Sequence, residues 1–222
     1  MTSRSPIVDP PPSSVRTTVT SPSTPKGRRT REALLDAARV VFGQSGFVAA
    51  RMTDVAYTAG LSLGALYRYF GSKEDLFEAL VADIHEELVA ASTAPGKDFA
   101  TDPYGALLAA NHGFLAHYWA NRDVLRAFVE AANVNERFRA MWWRMRNRHI
   151  DRFVHSVNTR HRISTIDGVD VRVVAEAMAC MVEQAAWVWL ARGPRRRPAV
   201  PLPDAAAVLT RTWYRSIFDR ER

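Results

Sequence analysis

Apolar residues along this chain recur every three to four positions, the spacing of one face of an α-helix, and no stretch shows a convincing two-residue strand alternation. Between Thr30 and Phe42 they fall at Leu34, Leu35, Ala38, Val41 and Phe42, and Gln44-Ser45-Gly46 closes the run. Two short helices are predicted next, at about 52–59 and 63–69. A longer one runs from Lys73 to Ala91, with Ser72 placed to cap it and Asp75 at the third helical position to complete a capping box. The stretch from Ala94 to Pro103 is rich in breakers, and Pro103 suits a first helical turn. Further helices are predicted at about 103–120, 122–132, 134–161, 168–192 and 204–219. Asp167–Asp170 and a proline-arginine linker over 193–203 separate the later ones.

The pattern predicts an all-α chain without strands. A three-helix head over 28–75 precedes a larger helical domain over 76–222. Residues 1–27 are rich in Ser, Thr and Pro and are expected to form a disordered tail that ends in the basic run Lys26, Arg28, Arg29 and Arg31.

Composition narrows the function classes. A chain of 222 residues, 47% of them hydrophobic, can bury a sizeable core. Its 30 basic and 23 acidic residues leave a charge of +7, which suits a polyanionic partner, nucleic acid or anionic membrane, without choosing between them. A single cysteine, Cys180, excludes an intrachain disulfide, and its apolar setting predicts a small buried hydrophobe. The start of the chain lacks the apolar segment of a signal peptide, and no run reaches 18 uncharged apolar residues. A cytoplasmic protein with no membrane span is expected. The six histidines form no His-Glu-x-x-His or Glu-x-x-His pair, and no phosphate loop, nucleophile elbow or cysteine pair occurs. No catalytic residue, metal or cofactor is therefore expected.

The chemistry lies in residues 51–70. Met52, Val55, Ala56 and Ala59 share one side of the first short helix, while Thr53, Asp54, Tyr57 and Thr58 point outward. Gly60 permits the positive φ of a tight corner, Leu61 plugs it, and Ser62 caps the next helix. Leu66 and Phe70, four residues apart, face the core. Leu63, Gly64, Ala65, Arg68 and the edges of Tyr67 and Tyr69 form the outward surface. Small residues at 64 and 65 let a helix approach a DNA groove closely, and Arg68 is its one long multi-donor side chain, suited to guanine. Leu63 can pack on a thymine methyl. Arg51 cannot cap the first helix but can grip a phosphate. The plainer reading is a tight corner within an α-protein.

The ordered segments AARVVFGQSGF, DVAYTAGLSLGALYRYF and SKEDLF, all within 28–80, resemble the N-terminal domain of the TetR family of transcriptional repressors. The resemblance implies a helix-turn-helix head and a variable all-helical C-terminal domain that forms a dimer and encloses a small-molecule pocket. It further implies phosphate contacts from Tyr67, Tyr69 and Lys73, with Leu63, Gly64, Ala65 and Arg68 at the major groove of double-stranded DNA. Tyrosine hydroxyls and a lysine at a helix start suit such contacts on chemical grounds. This chain departs from the family in having Arg51 where threonine is frequent and Leu63 where a polar or basic residue is frequent, which bears on the operator sequence.

Aromatic residues gather in the second domain, and a pocket with apolar walls and a few polar groups is expected there. Its candidate lining is Asn111, Phe114, Tyr118, Phe128, Trp142, Met145, Met178, Glu183 and Trp187, with His117 and Asn133 as further polar suppliers. The effector expected is a substantially apolar small molecule; the alternative is that these aromatics only pack the domain. Val171, Val174, Ala175, Met178, Ala179, Val182, Ala185, Ala186 and Trp189, with Ala206, Leu209, Trp213 and Ile217, form an apolar face read as the homodimer contact of helices 168–192 and 204–219. Residues 137–162 hold eight arginines and one acid, Asp151, and read as a solvated face. The reading is a dimeric, sequence-specific repressor released by its effector. Its alternatives are an activator, a regulator without an inducer, and a basic membrane-surface or scaffold protein.

Overall fold

The computed structural model describes residues 24–93, 96–192 and 197–219. Its elements run α1 (Pro25–Ala49), α2 (Met52–Thr58), α3 (Leu63–Tyr67), α4 (Lys73–Ala91), α5 (Pro103–Val134), α6 (Glu136–His161), β1 (Thr165–Ile166), β2 (Val169–Asp170), α7 (Val171–Ala186) and α8 (Leu202–Ile217). Helix α7 continues through a π-helical stretch, Trp187–Ala191. Among the described residues the fold is all-α apart from one two-stranded ribbon.

Local chemistry accounts for most boundaries. Thr24 accepts from the Gly27 N–H at 3.1 Å and Pro25 opens α1, so the helix starts five residues before the expected Thr30. The basic run is thus the first turns of α1 and not the end of a tail; residues 1–23 lie outside the described residues. Gly46, at φ 74°, breaks the helix where Gln44-Ser45-Gly46 predicts a stop. Ser72 accepts from the Asp75 N–H at 3.1 Å, which fixes the start of α4 at Lys73.

Three further expectations are corrected. The two helices predicted at 103–120 and 122–132 are one, α5. Asn121 does not break it because its amide donates to the His117 carbonyl one turn back and its oxygen accepts from Arg39. The separator at 167–170 is a hairpin: Asp167 (φ 50°) and Gly168 (φ 81°) form the two-residue turn between β1 and β2. Cys180 is exposed, not buried, with its sulfur accepting from Arg146 at 3.0 Å.

The main core joins the first four helices to α5 and α6 without a gap at the expected 75/76 boundary. Phe42, Phe47, Phe77, Phe128 and Phe138 form its aromatic centre, with Phe47–Phe138 at 4.9 Å and Phe77–Phe138 at 5.3 Å between ring centroids. A second cluster packs α5 against α7 and α8 around Leu115, Ala186 and Leu209, and a third gathers Val157, Ile166, Met178 and Ile217. The apolar face assigned to the dimer is therefore largely internal: Val171, Ala175, Met178, Val182, Ala186, Ala206, Leu209 and Ile217 are buried within the single chain. What α7 and α8 leave outside is Val173, Ala177, Cys180 and Gln184 on the first, and Pro203, Asp204, Val208, Arg211, Thr212 and Arg215 on the second. Among the described residues the continuous Val171–Ala191 helix is long and apolar enough to cross a membrane by length and composition only, a test that the core helix of a soluble protein also passes. Arg172, Glu176 and Glu183 interrupt its apolar sequence, and Arg146 of α6 pairs with Glu183.

Candidate functional site

The head presents α3 outward. The turn before it runs through Gly60, at φ 66°, where an added Cβ would meet no atom within 4 Å, so the corner depends on conformation and not on crowding. Ser62 accepts from the Ala65 N–H at 3.2 Å and fixes the first turn of α3. Leu66 and Phe70 are buried and anchor the helix, as its five residues require of their surroundings. Leu63, Gly64, Tyr67 and Arg68 are exposed, Ala65 is half-buried, and no neighbour stands over Gly64. Tyr69 packs partly against the head core. Arg51 sits at the N-cap of α2 without a side-chain cap hydrogen bond, and is exposed. Tyr57, outside the candidate set, is 88% exposed on α2 beside this surface. Its outward position is legible in the helical spacing.

Lys73 stands apart from the other candidates. Its ammonium donates to the carbonyls of Phe47 (2.9 Å), Val48 (3.1 Å) and Ala50 (3.3 Å) and lies 4.7 Å from the centroid of the Phe47 ring. An ammonium has three donors, and all three are engaged inside the head. From the other side Glu130 of α5 accepts from the N–H groups of Phe47 (3.0 Å) and Val48 (3.3 Å). The segment after Gly46 is thereby held by the first residue of α4 and by the body. Arg137 of α6 adds ion pairs to Asp75 (2.8 Å) and Glu78 on α4.

Among the described residues, three cavities of the second domain meet at His149. One is lined by Phe114, Tyr118, Phe128, Trp142, Met145 and Glu183, six of the nine predicted pocket residues. Asn111 lines the next cavity, where it also donates to the buried Thr210 hydroxyl at 2.9 Å. Met178 and Trp187 are not among the linings: Met178 is packed into the third core cluster, and Trp187 opens the π-helical stretch. His117 bonds the Ile84 carbonyl at 3.0 Å and Asn121 at 3.1 Å, linking α5 to α4 instead of lining these cavities, and Asn133 is exposed near the end of α5. Sequence reasoning missed Val81, Ile84, His85 and Leu88 of α4, Leu125 and Val129 of α5, and Arg146 and His149 of α6, which complete this wall. No local signal marks them, because a cavity lined by two helices far apart in sequence has no sequence period of its own.

The polar groups in this wall are strongly shaped by burial. Arg146, 8% exposed at its side chain, pairs with Glu183 at 3.2 Å and also donates to the Glu176 carbonyl at 3.1 Å. Burial raises the Glu183 carboxyl above its usual range, and Arg146 opposes that rise. Burial, with help from Glu183, pushes the Tyr118 hydroxyl up to about 12. Burial is also the first cause that lowers His85 and His149, the latter to about 4, with Arg148 and Arg152 adding to it. Among the described residues no group of three or more His, Cys, Asp or Glu is placed to hold a metal ion.

A rigid surface helix capped by serine, small at its centre and set on a glycine corner, defines a helix-turn-helix DNA-binding protein. Similarity to known proteins places it further. The family model "Bacterial regulatory proteins, tetR family" matches residues 34–80, and "Transcriptional regulator EthR, C-terminal domain" matches 108–219. The second covers half of the chain, and the protein belongs to the TetR family of transcriptional regulators. Over 129 residues it is 32% identical to the "HTH-type transcriptional repressor KstR2" of Rhodococcus jostii, covering 52% of this chain and 62% of that protein. Over 68 residues it is 43% identical to the "HTH-type transcriptional regulator BetI" of Rhizobium meliloti, covering 29% of this chain and 34% of that protein. The matches thus span a third to about three-fifths of these curated relatives. A TetR-like regulator of Rhodococcus sp. RHA1 superposes with TM-score 0.66 at 26% identity, over 86% of this chain and 97% of that one. A TetR-family regulator from Rhodococcus sp. shares the fold with TM-score 0.68 at 21% identity, over 86% and 99%.

Proposed function

We propose that the protein is a dimeric repressor that reads a pseudo-palindromic operator through α3 and leaves it when a substantially apolar small molecule fills the cavities of its second domain. The observation that carries this reading is the double duty of α4. Its first turns supply Leu76, Phe77 and Leu80 to the core beneath the reading head, and its later turns supply Val81, Ile84, His85 and Leu88 to the cavity wall. A ligand that prefers one position of α4 thereby prefers one placement of the head, which is the differential affinity that regulation requires. In this reading Arg68 and Leu63 contact base edges, Gly64 and Ala65 allow close approach, and Tyr67, Tyr69 and Arg51 fix the phosphates. The dimer forms through the outer stripes of α7 and α8 around Val173, Ala177 and Val208, since the apolar inner stripes are already covered.

The test is selection of bound duplexes from a randomised pool by the full chain at two salt concentrations. Enrichment of one inverted repeat is expected. Retention that depends on salt but not on sequence would sink the reading and leave a charge-driven binder.

A further inference from the structure

The effector-site reading, on which this inference rests, does not say what the polar side chains inside the cavities are for. Among the described residues three buried side-chain nitrogens have no hydrogen-bond partner: His85 Nε2, His149 Nε2 and Trp213 Nε1. All three belong to residues that line the adjoining cavities. His149 lines all three cavities and so stands where they meet. His85 reaches it from α4, 92% removed from solvent, and the two rings meet edge to face with centroids 5.0 Å apart. A buried polar atom without a partner is costly and rare, so the adjacent His85 and His149 nitrogens call for a ligand group that answers them.

The kind of group follows from the surroundings. An indole N–H only donates, so Trp213 asks for an acceptor. Arg146 is offset by Glu183 at 3.2 Å, Arg148 by Glu86 and Lys97 by Asp102 at 3.5 Å, which leaves Arg152 as the net positive charge bearing on both histidines. A third cavity, which His149 also lines, carries Lys97, Arg152 and the hydroxyls of Ser92, Thr93 and Ser156, with no carboxylate in its lining. Inward of the histidines the wall turns apolar, with Val81, Ile84, Leu125 and Phe128. A neutral acceptor would satisfy the donors and leave the Arg152 charge uncompensated. A cationic head would meet it with repulsion.

We propose that the effector is an amphipathic carboxylic acid, its apolar body lodged between α4, α5 and α6 and its carboxylate received by the Nε2–H groups of His85 and His149. The two histidines then read the head group and the apolar wall reads the body. Straight-chain and fused-ring acids share this chemistry.

The experiment is calorimetric titration of the full chain with decanoate, decanol and decyltrimethylammonium, and with cholate for the fused-ring body. Decanoate or cholate is expected to bind about tenfold or more tightly than decanol, as charge-assisted hydrogen bonds to a buried pair imply. In long-range 1H–15N spectra the Nε2 signals of both histidines should move with the acid and not with decanol. His149→Phe should remove the preference for the acid while decanol binding persists. Equal binding of decanol, preference for the cation, or no binding of any probe would overturn the proposal, and the wild-type comparison does so even if the variant fails to fold. Release of a selected operator duplex is scored separately. An acid that binds through the histidines without releasing DNA upholds this inference and removes the effector role. Release by decanol as readily as by either acid does the reverse.

Discussion

Arg68, exposed at the end of α3, and Lys73, half-buried at the start of α4, carry the same charge to different ends. Arg68→Ala is expected to relax sequence preference, with about 1–3 kcal/mol lost on the preferred duplex and little on others; competition between site variants measures it. Family resemblance assigns Lys73 to a phosphate. With its ammonium on three carbonyls, Lys73→Met should instead lower thermal stability by about 1–3 kcal/mol. The slope of log affinity against log salt should then stay as in the wild type. A slope reduced by about 1 at unchanged stability would return the residue to the DNA surface. His149 supplies a pH dependence. Burial, then His85, Arg152 and Arg148, hold it at about 4 against an ordinary 6.5, with Arg146 and Glu183 on the same cavity wall. Between those values the unfolded chain takes up a proton that the folded ring refuses, so stability falls as pH drops from about 6.5 to about 4. His149→Phe should flatten the thermal midpoint across that window.

Among the elements, the short ones of the head are the most legible in the sequence and the long ones of the body the least. Gly60, Ser62 and Ser72 are local signals that act within four residues, and α2, α3 and α4 lie where they indicate. Helix α5 reads as two in the sequence because Asn121 looks like a break until its bonds to His117 and Arg39 are known. The hairpin escapes because strands of two residues have no period to detect, although Asp-Gly is a strong turn signal. On α7 the apolar stripe is legible as a stripe, but periodicity does not say whether the covering surface belongs to the same chain or to another. The break in α1 offers a test at this scale. Gly46 has φ 74° and ψ 178°, and a Cβ there would press on the Glu130 carboxylate. Gly46→Ala should cost about 1–3 kcal/mol in a denaturant titration and should increase amide exchange at Phe47 and Val48.

At the level of the whole molecule, the proposed dimer rests on the outer stripes of α7 and α8. Val173→Glu combined with Val208→Glu should shift sedimentation toward a single chain and weaken operator binding, leaving the helical content unchanged. A double variant that still sediments as the wild type would move the contact elsewhere. The aromatic centre described above has a further consequence for how such regulators are re-engineered. Transplanting reading heads between relatives treats the first 75 or so residues as a portable cassette. In this chain the cassette's floor is made by Phe128 and Phe138, and Glu130 fastens its loop. A foreign head cut at that point would arrive without the side chains that fit this floor. The transferable unit is therefore the head together with the stretch of α5 and α6 from Val124 to Met141, and chimeras that keep that stretch with its own head should fold where shorter grafts do not.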